Sequence, residues 1–209
     1  MPKILIPEHH TIADWDFRHG ALYRSLSATR YISEPTSLKF LNATGSYIWD
    51  TVLCRLDSTL CLPQGEVRTW LYPSADWAHH PFSFRNQAAL GSSNNSNHYF
   101  IELSFNVAYL ICAVAGDWTI KGSVAVSYSL TEWNRWRIVW YNGETPGEVP
   151  ALCVDLYKEV AGEWVKQGST MYDTANRWKD SAVNRCGIEG DSVNNHPEYW
   201  DDTEIWGPV

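Results

Sequence analysis

The chain has no apolar run long enough to cross a bilayer as a helix. Its longest, Val107 to Ala115, falls far short of the ~20 residues required, so membrane insertion is not expected. Positive charge is also scarce. Lys plus Arg number 16 against 24 Asp plus Glu, a formal net charge of −8, and the basic residues are scattered singly. A phosphate backbone attracts the opposite balance, which excludes nucleic acid as a partner. The opening Met1-Pro-Lys-Ile-Leu-Ile-Pro-Glu lacks the apolar core and small-residue cleavage site of a secretory signal. The expectation is synthesis in the cytoplasm without a leader, or removal of a leader. Catalytic signatures are missing as well: no G-x-S-x-G, no G-x-x-x-x-G-K, no C-x-x-C and no Cys/His cluster occurs, which argues against a serine hydrolase, a P-loop enzyme and a zinc site.

Helical periodicity is nearly absent. Only residues 12–25 carry a helical turn, and Gly20 interrupts it. Cysteines number five, an odd count that leaves at least one thiol free or paired outside the chain. Cys54 and Cys61 are close enough in sequence to face each other across a hairpin. Most of the five read as small buried hydrophobes.

Aromatic residues are plentiful. They make up 14% of the chain against 19% charged residues, a globular composition. The segments E-W-N-R-W-R-I-V-W-Y (132–141) and Y-W-D-D-T-E-I-W-G (199–207) alternate residue by residue and hold five of the 12 tryptophans. Period two marks half-buried strands. Similar short runs, bounded by Gly, Pro, Asn, Asp and Ser, predict strands at 21–24, 28–33, 36–41, 46–55, 65–72, 81–88, 97–105, 108–115, 118–121, 123–129, 134–142, 150–158, 163–169, 182–188 and 199–206. The stretches 91–97 and 142–150 read as a solvated loop and a hairpin connection. With no linker or repeat in view, the 209 residues predict one domain, 1–209.

Several of these segments resemble the concanavalin A-like jelly-roll superfamily, whose members include laminin-G-like domains and legume lectins. They are D-W-D-F-R-H-G-A-L-Y (14–23), R-Y-I-S-E-P-T-S-L-K-F (30–40), C-L-P-Q-G-E-V-R-T-W-L-Y (61–72), W-N-R-W-R-I-V-W-Y-N-G (133–143), V-D-L-Y-K-E-V-A-G-E-W (154–164) and Y-W-D-D-T-E-I-W (199–206), in the superfamily's order. The resemblance implies an all-β fold, an antiparallel two-sheet jelly-roll sandwich. It also implies a structural calcium held by a carboxylate of the first strand and one of the last. Here these would be Asp14 or Asp16 with Asp201 or Asp202, supplying oxygens of the kind calcium takes.

Glycoside hydrolases of that fold carry an E-x-D-x-E strand. The nearest approach here is Asp202 and Glu204, followed by Trp206 where a third carboxylate would sit. The spacing argues against catalysis, and no catalytic residue is assigned. Flat aromatic rings stack on sugar faces while polar neighbours bond the hydroxyls. Trp77, Trp178, Trp200 and Trp206, with Asp202 and Glu204, are the expected ligand or interface surface; Trp133, Trp136 and Trp140 are expected in the core. The expected partners are a glycan or neighbouring protein subunits, with oligomer or particle assembly. The role this implies is a non-catalytic, lectin-like structural or adhesive subunit of a phage or virus particle, a capsid decoration or tail-associated protein that reaches the outside by lysis. The alternatives are a glycan-cleaving hydrolase or lyase of the same fold, or a carbohydrate-binding module of a larger secreted enzyme.

Overall fold

The structure, a computed structural model, describes residues 3–5, 15–17, 24–33, 36–40, 48–54, 62–75, 82–87, 97–192 and 197–207. Among these there is no helix. The strands run, in chain order, β1 (Lys3–Leu5), β2 (Trp15–Phe17), β3 (Arg24–Ser27), β4 (Ser37–Phe40), β5 (Ile48–Cys54), β6 (Gly65–Pro73), β7 (Phe82–Asn86) and β8 (His98–Ser104). They continue as β9 (Val107–Val114), β10 (Asp117–Ala125), β11 (Asn134–Glu144), β12 (Pro150–Val160), β13 (Glu163–Lys166), β14 (Met171–Asp173), β15 (Arg185–Ser192) and β16 (Glu198–Trp206).

They form two antiparallel sheets. One has the order β13-β12-β11-β6-β16-β4-β3, with β1 also on β16 and β14 also on β12; the other has the order β10-β9-β8-β7-β15-β5-β2. This is the jelly-roll sandwich that the resemblance implies. Alternation decides which side chains meet between the sheets. On β11, Trp136, Ile138 and Trp140 are all 0% exposed, while Arg135 and Arg137, which alternate with them, are half-buried on the outer side. Two ring contacts tie the sheets together: Phe84 of β7 stacks on Trp140 of β11 at 5.2 Å, and Phe82 meets Trp200 of β16 edge-on at 5.0 Å. Such aromatic pairs add about 0.5–1.5 kcal/mol beyond their area burial.

Trp200 corrects the sequence reading, which placed it on the surface with Trp206. It is 0% exposed. The cause is a β-bulge: the β16–β6 register breaks between Asp201 and Glu204, and Asp202 has φ 44°. One extra residue reverses the parity of a strand. Thus Trp200 points inward with Thr203 and Ile205, while Glu204 and Trp206 stay outward. Thr203 and Ile205 face the core, and the Thr203 and Thr69 hydroxyls bond at 2.7 Å inside it. Trp133, expected inside, is only half-buried, edge-on to Tyr72 at 5.6 Å.

Other differences have equally local causes. Residues 28–33 form bends, because the Ile32 and Ser33 amides donate to the Asp201 carboxylate and not to a strand ladder. The two strands expected at 118–121 and 123–129 are one, β10, with a register break between Ile120 and Gly122. A Cβ on Gly122 would lie 3.1 Å from the Met171 side chain, so this glycine serves packing and does not end the strand. The helical turn expected within 12–25 meets strands at Trp15–Phe17 and from Arg24; the remainder lies outside the described residues. The connection expected at 142–150 is a hairpin, closed by Thr145 N–H donating to the Val149 carbonyl. Cys112 and Cys153 are buried free thiols, and Cys186 is buried as well. The Cys54 and Cys61 side chains lie outside the described residues.

Candidate functional site

The outward residues of β6 are Glu66, Arg68, Trp70 and Tyr72, because Val67, Thr69 and Leu71 face the core. Register brings rows from the neighbouring strands beside them. Arg135 and Asp201 flank Trp70, Arg137 and Glu204 flank Arg68, and Val139 and Trp206 flank Glu66. Farther out, Tyr157 sits beside Arg137, and Trp164 of β13 pairs with Glu159 of β12.

These side chains interlock into a row of rings and cations. The Arg68 guanidinium lies 4.5 Å from the Trp206 ring centre and 5.9 Å from that of Trp164. Arg135 continues the row, 5.3 Å from Trp164 and 5.5 Å from Trp70. Beside it, Arg137 lies 4.8 Å from the Tyr157 ring centre, and Arg30 lies 4.3 Å from that of Tyr72. Arg68, Arg135 and Arg137 are also paired with carboxylates, and Arg30 Nη1 donates to the Tyr72 hydroxyl at 2.5 Å. Glu66, 2% exposed, accepts from Arg68 Nε and, at 2.7 Å, from Arg137 Nη2. Arg135 Nη1 donates to Glu159 Oε2 at 2.7 Å, and Trp206 Nε1 donates to Glu204 Oε2 at 3.2 Å. Cation–π contacts contribute about 0.5–2 kcal/mol each, depending on desolvation. Their main effect here is to hold each ring in place.

Of the residues predicted from sequence, Trp206 and Glu204 belong to this face. Trp200 lies beneath it in the core. Asp202 is the extra residue of the bulge and accepts from Ser33 Oγ at 2.9 Å. Trp178 is half-buried on a separate loop, edge-on to Tyr99 at 5.4 Å. Trp77 lies outside the described residues. Trp70, Trp164, Arg68 and Arg135 were missed as a group. The signal for Arg68 and Trp70 is the alternation of E-V-R-T-W-L-Y (66–72) and that for Arg135 the alternation of 132–141, but only register shows that β11 and β16 flank β6.

The calcium ligand set divides. Asp14 lies outside the described residues, and Asp16 is placed only by its backbone, in β2 of the seven-stranded sheet. Asp201 does not fit a cation site. Its Oδ2 accepts the Ile32 and Ser33 amides and its Oδ1 accepts the Asp202 amide, so N–H dipoles already converge on it. Burial pushes this carboxyl up from its ordinary value, and the three amide bonds partly oppose the shift. Among the described residues, no three His, Cys, Asp or Glu side chains gather in a metal-holding group. The donors on Asp201 predict that EDTA leaves the melting midpoint unchanged. A midpoint that falls in EDTA and returns with added calcium would restore the calcium site.

No protein-family model matches the sequence, and no curated protein matches it. Solved structures do. The carbohydrate-binding module CBM66 from Bacillus subtilis aligns over 93% of this chain and 96% of its own, at 8% identity and a TM-score of 0.56. A legume lectin-like domain from Entamoeba histolytica aligns over 95% of this chain and 92% of its own, at 10% identity and a TM-score of 0.57. A GH43 glycoside hydrolase engineered for endo-xylanase and exo-arabinofuranosidase activity covers all of this chain at 10% identity and a TM-score of 0.59, but this chain spans only 41% of that enzyme. Identities this low carry the architecture alone: the chain is folded as a concanavalin A-like jelly-roll sandwich.

Proposed function

We propose that the protein is a non-catalytic, lectin-like glycan-binding sandwich whose ligand surface is the outer face of the nine-stranded sheet. The row Trp206, Arg68, Trp164, Arg135, Trp70 carries this reading. Held aromatic rings offer sugars a stacking surface, and the guanidinium and carboxylate groups between them bond hydroxyls. The carboxylates of this face already accept from arginine or indole donors, which favours binding over acid–base work. A carbohydrate-binding module and a lectin-like domain with the same fold support the reading.

Trp, Tyr and Arg are also the residues that dominate protein–protein hot spots. Docking onto a neighbouring subunit, as in a virus or phage particle, is therefore the second reading of the same face. A glycan array followed by calorimetry separates the two. Binding of at least one glycan is expected, weakened about tenfold or more by Trp206→Ala or Trp164→Ala, since one ring contributes ~1–3 kcal/mol. Both rings are only half-buried, so the fold should survive the changes. If no glycan binds and the same substitutions abolish self-association in mass photometry, the subunit reading holds instead.

A further inference from the structure

A second feature lies at the end of the sandwich, away from the ring platform. Asn142 follows Trp140 by two residues on β11 and so shares its inward parity, just past the last core layer. Together with Gly143, Glu144, Pro150, Asn176, Lys179 and Asp180 it lines an open hollow of about 590 Å³. Beneath the hollow is Arg85 of β7, 0% exposed. Its Nη2 donates to Asn142 Oδ1 at 2.8 Å and its Nη1 to Asn176 Oδ1 at 2.7 Å. Further bonds run to the carbonyls of Pro63 (2.8 Å) and Arg177 (3.1 Å).

A guanidinium is donor-only. Both asparagines must therefore turn their oxygens toward Arg85, which leaves their Nδ2 donors on the side of the hollow. The usual ambiguity of amide orientation is removed by the partner's chemistry. Burial pulls the Arg85 pKa down to about 10, with Tyr99 the largest opposing influence, so the group remains charged at neutral pH.

The rim is held as firmly as the floor. Asn176 and Trp178 have φ of 40° and 58°, and Arg85 has 47°, a left-handed conformation that non-glycine residues avoid. Such residues gather where the surroundings over-determine them, often at ligand sites. Here the constraint is visible. Asp173 Oδ2 accepts the Tyr99 hydroxyl at 2.6 Å, Asp173 Oδ1 accepts the Ala175 amide, and the Arg177 amide donates to Tyr99 Oη at 3.0 Å.

We propose that this hollow is a second ligand site, independent of the ring platform, that takes a neutral sugar unit through vicinal hydroxyls, with Arg85 as the positioning residue. Each hydroxyl accepts from an asparagine amide or Lys179 and donates to Glu144 or Asp180. Those two carboxylates select against an acidic sugar.

The test is an NMR titration of the side-chain amides with methyl glucoside, galactoside, mannoside and xyloside, with galacturonate as the charged control. Asn142→Asp and Asn176→Asp keep an acceptor for Arg85 but remove the donor. The expected result is a shift of the Asn142 and Asn176 Nδ2 resonances with at least one neutral glycoside and not with galacturonate. Affinity should fall about tenfold in either variant, while the melting midpoint holds. Three results would overturn the site: no shift at these amides up to about 100 mM glycoside, shifts confined to the indoles of the sheet face, or unaltered affinity in both variants.

Discussion

Replacing Trp200 by Ala should cost about 3–5 kcal/mol of unfolding free energy, the range for removing a large aromatic side chain from a packed core. Its ring is fully enclosed against Phe82, and the neighbours Leu38 and Leu71, strand partners on either side, are equally buried and cannot collapse to fill the space. Trp206→Ala, beyond the register break, should cost only about 1 kcal/mol or less. The two rings look equivalent in the sequence, so the contrast isolates the bulge. Urea titration checks it through a midpoint that drops for Trp200→Ala at constant slope. Equal losses for the two variants would mean that the bulge does not exist in solution.

Arg85→Ala is expected to cost a similar ~3–5 kcal/mol, because several acceptors lose the donor that satisfies them and the packing of a fully buried side chain is lost as well. The loss has two parts. The Pro63 and Arg177 carbonyls lose their donor, and the 174–181 loop loses the bond that holds Asn176. Buried acceptors left without a donor cost ~1–3 kcal/mol each. Hydrogen exchange should then quicken first at the Ala175 and Arg177 amides, whose bonds to Asp173 and Tyr99 depend on the loop staying in place. A loss below about 1 kcal/mol would show that water replaces the guanidinium freely and that Arg85 is not structural.

The inner face of β11 was legible because its period-two pattern meets a buried partner at every step. Arg85 was not. In F-S-F-R-N (82–86) alternation sends the arginine outward, opposite to Phe82 and Phe84; its positive φ, at the break in the β7–β15 register, turns it in. Asp202 is the same kind of event. Aspartate tolerates the left-handed region better than most residues, but two adjacent aspartates do not announce which strand registers they join. The ring platform was half legible. Alternation within 66–72 and 132–141 marked the outward residues, while the meeting of Arg68, Trp164 and Trp206 depends on pairings between distant strands. The bends at 28–33 depend on a carboxylate 168–169 positions away, beyond any local pattern.

The place of β16 has a consequence for how the molecule is made. This strand lies between β6 and β4 in the middle of the nine-stranded sheet, yet it ends at Trp206. Until that residue has left the ribosome, β6 and β4 each present an unpaired edge, and Trp200 is missing from its place against Phe82. Non-local pairing of this kind slows folding, and open edges invite association with other chains. The nascent chain therefore waits, with two exposed edges and an unfinished core, for the strand that joins them.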